Sequence, residues 1–180
     1  MPRLFVGLEL PDPVIEQLLA MRQEITGAHW QTADQLHLTL GFIGNVETPV
    51  AESIQAGLHY LEADAFELRL QGAGRFGTAE RPRNLWVGTS PEAPLVAIHG
   101  QVQSVLKAAG LKPDQRPYKP HVTLARMGRN AGATDPFLAR FAQVRSPPFW
   151  VDRISLFRST LGQRGSQYAV VDRIALADPA

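Results

Sequence analysis

The chain has no cysteine among its 180 residues. That excludes a disulfide framework, a thiol nucleophile and cysteine-ligated zinc, and it suits a reducing compartment. No apolar run approaches the ~18 residues of a membrane span, so no membrane association is expected. Glu9 falls too early for a signal-peptide core, and the opening stretch Leu4–Leu10 reads as a strand. Cytoplasm is the expected compartment. Metal-ligand spacings are missing too: there is no His-x-His or His-x-x-x-His. Neither a Gly-x-Ser-x-Gly elbow nor a Gly-x-x-x-x-Gly-Lys phosphate loop occurs. No cofactor or metal is expected.

What is present is one short signature, twice. His37-Leu38-Thr39-Leu40 and His121-Val122-Thr123-Leu124 both read His-apolar-Thr-Leu, 84 residues apart. With five histidines and nine threonines, His-x-Thr alone arises by chance in roughly one such sequence in four. The longer pattern occurring twice is therefore far from chance. In a strand, residues i and i+2 share a face. Each signature thus places a histidine and a threonine on one surface and two apolar residues on the other.

Two such strands facing each other would build one cleft with two imidazoles and two hydroxyls. A histidine pair can hold one neutral and one protonated ring near neutral pH, the division that in-line phosphodiester hydrolysis needs. The hydroxyls of Thr39 and Thr123 can donate to phosphate oxygens as charge develops. His29, His59 and His99 have no threonine partner at that spacing and read as structural residues.

Composition and charge fit a globular protein with an anionic ligand. The apolar fraction is 44% and the charged fraction 19%. Net charge is only +1, but residues 1–115 carry net −5 and residues 116–173 net +7. Nine of the ten bases in the latter stretch are arginine, whose planar fork matches phosphate oxygens. Arg126 is a phosphate-binding candidate. It lies one residue out of phase with the His121–Thr123 face and would need a bulge or strand end near Ala125. Phe42 reads equally well as a base-stacking platform and as a core aromatic. Tyr118 is a candidate for the rim of the site.

The periodicities predict strands over residues 4–10, 36–43, 66–70, 85–89 and 121–125, with a long terminal hairpin over 151–161 and 167–176. Helices are expected over 13–25, capped by Asp12, and 49–62, capped by Thr48. Two more are expected over 94–109 and 136–141. Residues 72–83, rich in Gly, Arg and Pro, read as a loop or irregular hairpin. The expected fold is α+β, a single domain over residues 1–180. It would comprise two intertwined lobes with one motif each (37–40 and 121–124), in a bilobal duplication.

On these residues the sequence resembles the two-histidine (2H) phosphoesterase superfamily, and within it the RNA 2′,3′-cyclic phosphodiesterases, also called 2′-5′ RNA ligases. Phe5-Val6-Gly7-Leu8, His37 through Gly44, Pro117 through Arg126, and the terminal hairpin with Tyr168 carry the likeness. The resemblance implies a pseudo-twofold fold, two antiparallel sheets facing a central cleft with helices outside. It implies hydrolysis of a terminal cyclic phosphate to a 2′-phosphate, with His37 as proton donor and His121 as proton acceptor. Thr39, Thr123 and Arg126 would hold the phosphate. The implied partner is RNA with a 2′,3′-cyclic phosphate end, such as a tRNA fragment, acted on by a monomer; RNA joining in reverse is a further implied activity. A small cyclic nucleotide as substrate, or a non-catalytic RNA-binding module, are the alternatives the residues leave open.

Overall fold

A computed structural model describes residues 1–179. Its strands are β1 (Arg3–Leu8), β2 (Ala28–Trp30), β3 (Leu38–Asn45), β4 (Phe66–Gly77), β5 (Pro82–Ser90), β6 (His121–Met127), β7 (Phe149–Val151), β8 (Arg153–Gly162) and β9 (Gly165–Ala175). The helices are α1 (Asp12–Ala20), α2 (Thr48–Leu58), α3 (Ala93–Ala108) and α4 (Asp135–Phe141). The fold is mixed, with antiparallel pairing between every pair of named strands that bond.

The strands run in the order β7-β4-β5-β6-β3-β1-β8-β9, with β2 added beside β6. The two sheets expected from the sequence are thus halves of one hydrogen-bonded path. They meet where the motif strands touch, at Leu38 opposite Val122. Leu38, Leu40, Val122 and Leu124 are buried and enter a core that also takes Val14 and Leu18 of α1, Ile54 and Leu58 of α2, and Leu95, Ile98, Val102 and Leu106 of α3. The apolar half of each signature therefore anchors its strand, which fixes where the polar half points.

Each motif strand carries a β-bulge at the same place in its signature. Gly7 pairs with Thr39 and Val6 with Gly41, so Leu40 is skipped. Trp86 pairs with Thr123 and Leu85 with Ala125, so Leu124 is skipped. Two consecutive buried residues, Leu40-Gly41 and Leu124-Ala125, mark these positions. A bulge inserts one unpaired residue and shifts the later side chains by one face. Beyond it, Phe42 and Arg126 share the face of the preceding threonine. The phase problem at Arg126 is solved by the bulge it required.

Several expected elements differ in extent. Residues 72–83 are mostly strand, because β4 continues to Gly77 and β5 begins at Pro82. Gly72 and Gly77 adopt positive φ (75° and 89°) at the two register shifts of that hairpin, which lets a glycine-rich stretch stay paired. Helix α1 ends at Ala20, where Met21 and Arg22 make turn-type bonds to Leu18 and Leu19. Helix α2 ends at Leu58, with His59 closing it. Pro11 and Glu47 occupy the two cap positions, so Asp12 and Thr48 are the first helical residues rather than side-chain caps. Strand β3 starts at Leu38; a turn from Thr32 to Leu36 leads into it through His37. Val151 belongs to β7 and pairs with Phe66 rather than entering the terminal hairpin.

Candidate active site

The turn before β3 and the loop before β6 hold the two histidines in the same way. His37 Nδ1 lies 2.7 Å from the carbonyl of Gln35, and His121 Nδ1 lies 2.6 Å from that of Lys119. In both cases the acceptor is the carbonyl two residues earlier. A carbonyl only accepts, so each Nδ1 carries the proton and each neutral ring presents its lone pair on Nε2.

The two Nε2 atoms differ. That of His37 is 2.9 Å from the Thr39 hydroxyl, which donates to it when the ring is neutral. Among the described residues, only the Lys119 carbonyl hydrogen-bonds the His121 ring.

Aromatic rings flank both imidazoles. Phe5 and Tyr168 lie 4.7 and 5.1 Å from the His37 ring; Phe76 and Trp86 lie 4.9 and 6.0 Å from that of His121. Burial is accordingly the largest cause pulling both histidines below their ordinary 6.5. The Gln35 and Lys119 carbonyls oppose it, while Arg126 and His121 add to the effect at His37, and the Lys119 ammonium at His121. Without a ligand, both rings favour the neutral form.

His37, Thr39, His121, Thr123 and Arg126 line a single small cavity of about 50 Å³, joined by Gln31, Gln35 and Tyr168. Five of the seven sequence-selected residues thus meet in one place. The other two, Phe42 and Tyr118, lie in an adjoining groove of about 560 Å³ that shares Thr39, His121 and Arg126 with the small cavity. Phe42 is 55% exposed, so it is a surface side chain and not a core aromatic. The Arg3 guanidinium lies over its ring at 5.3 Å. Tyr118 turns its hydroxyl inward, donating to the Thr39 carbonyl at 2.7 Å.

The groove also holds Phe76, Arg83, Asn84, Arg116 and Lys119, which sequence patterns did not single out. Arg116 and Lys119 pair with Asp114 and Glu92. On the opposite flank of His37, a second hollow is lined by the carboxylates of Glu9, Asp12 and Asp34 together with Arg164. One flank is therefore basic and aromatic, the other largely acidic.

The chain matches the family model described as the 2′-5′ RNA ligase superfamily over residues 10–163. It belongs to that superfamily. An RNA 2′,3′-cyclic phosphodiesterase of Aeropyrum pernix is 33% identical over 91% of this chain and 97% of its own length. The protein of the same name from Escherichia coli K12 is 27% identical over 97% and 96%. In three dimensions, apo LigT of E. coli superposes with a TM-score of 0.78 at 25% identity, over 98% of this chain and 99% of that one. LigT has also been crystallised with 3′-AMP, and that structure matches with the same TM-score. The family-model match spans both motif strands, and the LigT superposition covers 98% of the chain. Among the described residues no group of three or more His, Cys, Asp or Glu is placed to hold a metal ion, and no helix is long and apolar enough to cross a membrane.

Proposed function

We propose that this protein is an RNA 2′,3′-cyclic phosphodiesterase that opens a terminal cyclic phosphate to a 2′-phosphate by acid–base catalysis with two histidines. The observation that carries this reading is the shared cavity, where two imidazoles with carbonyl-fixed tautomers meet two threonines and Arg126. The relatives' shared activity supports the same substrate class.

In the proposed reaction, neutral His121 accepts a proton on Nε2 from water as its oxygen bonds to phosphorus. The bond from phosphorus to the 3′ oxygen breaks, and protonated His37 delivers its Nε2 proton to that oxygen. The product carries a 3′-hydroxyl and a 2′-phosphate. Proton exchange with solvent then restores both rings. The free Nε2 of His121 favours it as the base. His37 needs a proton before the step, and the substrate's negative charge favours one by offsetting Arg126. Thr39, Thr123 and Arg126 stabilise the non-bridging oxygens as charge grows.

A 5′-hydroxyl of a second strand taking the place of water would give a 2′-5′ linkage by the same steps, because the 2′ bond is the one retained. The matching bulges and the i−2 carbonyl bonds support a duplicated arrangement, two lobes of one domain related by a pseudo-twofold with helices outside the cleft. The RNA backbone would follow the groove of Arg83 and Arg126 and avoid the carboxylate-lined flank. A tRNA fragment acted on in the cytoplasm by a monomer is the setting proposed.

The deciding experiment incubates the purified protein, in chelator, with an oligoribonucleotide ending in a 2′,3′-cyclic phosphate and separately with the cyclic mononucleotide. A 2′-phosphate product with preference for the oligonucleotide is expected. No turnover, or a 3′-phosphate product, would overturn the reading. Equal efficiency on both substrates would move the assignment to small cyclic nucleotides.

A further inference from the structure

The first motif leaves part of its backbone without a ladder. Strand β3 leaves β6 after the Leu38–Val122 pair, so that edge has no further strand partner among the described residues. Buried or half-buried carbonyls need donors, and an open cleft edge leaves them without a ladder. Two side chains supply the donors. The Tyr118 hydroxyl donates to the Thr39 carbonyl at 2.7 Å, and His99 Nδ1 donates to the Leu40 carbonyl at 2.6 Å. The rings of Tyr118 and His99 stack face to face, 4.0 Å apart and 3° from parallel.

These two residues come from different elements. His99 is on α3, which packs on β3 closely enough that a Cβ on Gly41 would lie 2.7 Å from Val102 Cγ1. Tyr118 is in the loop that delivers the second motif, three residues before His121. Burial pushes its phenol well above the ordinary 10, so it stays a donor throughout the working range. The carbonyl it holds belongs to Thr39, whose hydroxyl is the partner of His37 Nε2.

We propose that Tyr118 and His99 form a positioning clamp, in which the second motif's lead-in sets the backbone of the first motif and thereby aims Thr39 at His37. The proposal rests on the cyclic phosphodiesterase reading for its kinetic consequence. It assigns Tyr118 a role through Thr39 in place of direct substrate contact.

The test is Tyr118→Phe, which removes one oxygen and keeps the ring stacked on His99. Because small misplacements at a reacting centre are expensive, kcat should fall about 10-fold while KM stays within about twofold. In parallel, nitrogen NMR of the ligand-free protein should show the His37 titration moving upward, since the neutral ring loses its fixed donor, while His121 does not move. His99→Ala, which removes the other donor, should follow the same kinetic pattern. Ser146→Ala serves as the control, because it deletes a buried hydroxyl that accepts from the Leu70 amide away from the site. It should lower Tm and leave kcat, KM and both titrations unchanged.

A rise in KM at constant kcat would overturn the clamp in favour of substrate contact. A lower Tm with unaltered kcat and an unaltered His37 titration would reduce it to packing. Absence of turnover in the wild-type protein would sink the enzymatic reading instead. The His37 titration would still decide for or against the clamp in that case.

Discussion

Leu38 of β3 faces Val122 of β6, and among the described residues they are the only paired positions between the two motif strands. Both are fully buried. The residues on either side of this pair, His37, Thr39, His121 and Thr123, line one small cavity. One apolar contact therefore organises four polar side chains.

The first prediction concerns those histidines. His37→Ala and His121→Ala should each lower kcat by about 10²–10⁴-fold on a cyclic-phosphate oligonucleotide in chelator. Circular dichroism should show both variants folded, since both rings are half-buried at the cleft and stand outside the apolar core. Full activity in the His37→Ala protein would remove it from the mechanism.

The motif faces were legible in the sequence because period two is a local property, and Leu38, Leu40, Val122 and Leu124 obey it without help. The bulges were only half legible. Arg126 stood one residue out of phase, which called for a bulge near Ala125 but gave no sign of a matching one at Leu40. Bulges arise from pairing with neighbours, here β1 and β5, that lie far away in sequence. The same cause left residues 72–83 open between a loop and an irregular hairpin, which β4 and β5 turn out to form. Gly74 reads locally as a turn residue, yet it leaves room for the Trp86 ring, which a Cβ there would meet at 2.4 Å. The i−2 carbonyls that fix both tautomers belong to backbone and leave no residue-type signal.

A second prediction follows from the depressed histidines. The folded state resists protonating His37 and His121, whereas the unfolded chain protonates them near 6.5. Below 6.5 the unfolded state binds more protons, so stability rises with pH through the window under 6.5 and is fully present above it. Melting temperature should fall as pH drops from 7.5 toward 5. His37→Gln should flatten that dependence. A wild-type Tm independent of pH across that range would contradict the burial of both rings.

Inorganic phosphate provides a third check. An anion in the cavity offsets Arg126 and favours the protonated imidazole. The His37 titration should therefore move upward on adding phosphate, and Arg126→Ala should weaken both the binding and the shift. Proton NMR of the imidazole resonances reads this directly. An unmoved His37 at saturating phosphate would place the anion elsewhere.

Gly7 is the fourth test, one of packing against the site. It pairs with Thr39, and a Cβ there would lie 2.6 Å from the Leu38 carbonyl oxygen, a backbone atom that cannot swing aside. Gly7→Ala should destabilise the fold by about 1–3 kcal/mol, the range for overpacking. It should also lower kcat, because the strand that must yield carries the first motif. Urea unfolding and kinetics on the same preparation separate the two effects. Wild-type stability would mean that β1 and β3 can part at no expense.

The last prediction asks which flank carries the RNA. Arg83 and Arg126 line the groove, and neither is in an ion pair among the described residues, whereas Arg116 and Lys119 hold acidic partners. Each phosphate neutralised on a single strand contributes about −0.7 to the slope of log K against log salt. Arg83→Ala should accordingly make binding of a non-hydrolysable oligonucleotide less salt-dependent by about that amount. Phe42→Ala should raise KM at least fivefold with little change in kcat, since base–aromatic stacking contributes about 1–3 kcal/mol per base. The Arg3 guanidinium already covers one face of that ring, so the effect belongs near the lower end. Arg164→Ala, on the carboxylate-lined side, should leave the salt slope unaltered. The reverse outcome, a slope sensitive to Arg164 and indifferent to Arg83, would send the strand over the other flank. It would also favour exchanging the acid and base roles, because the leaving 3′ oxygen lies on the ribose side of the phosphorus.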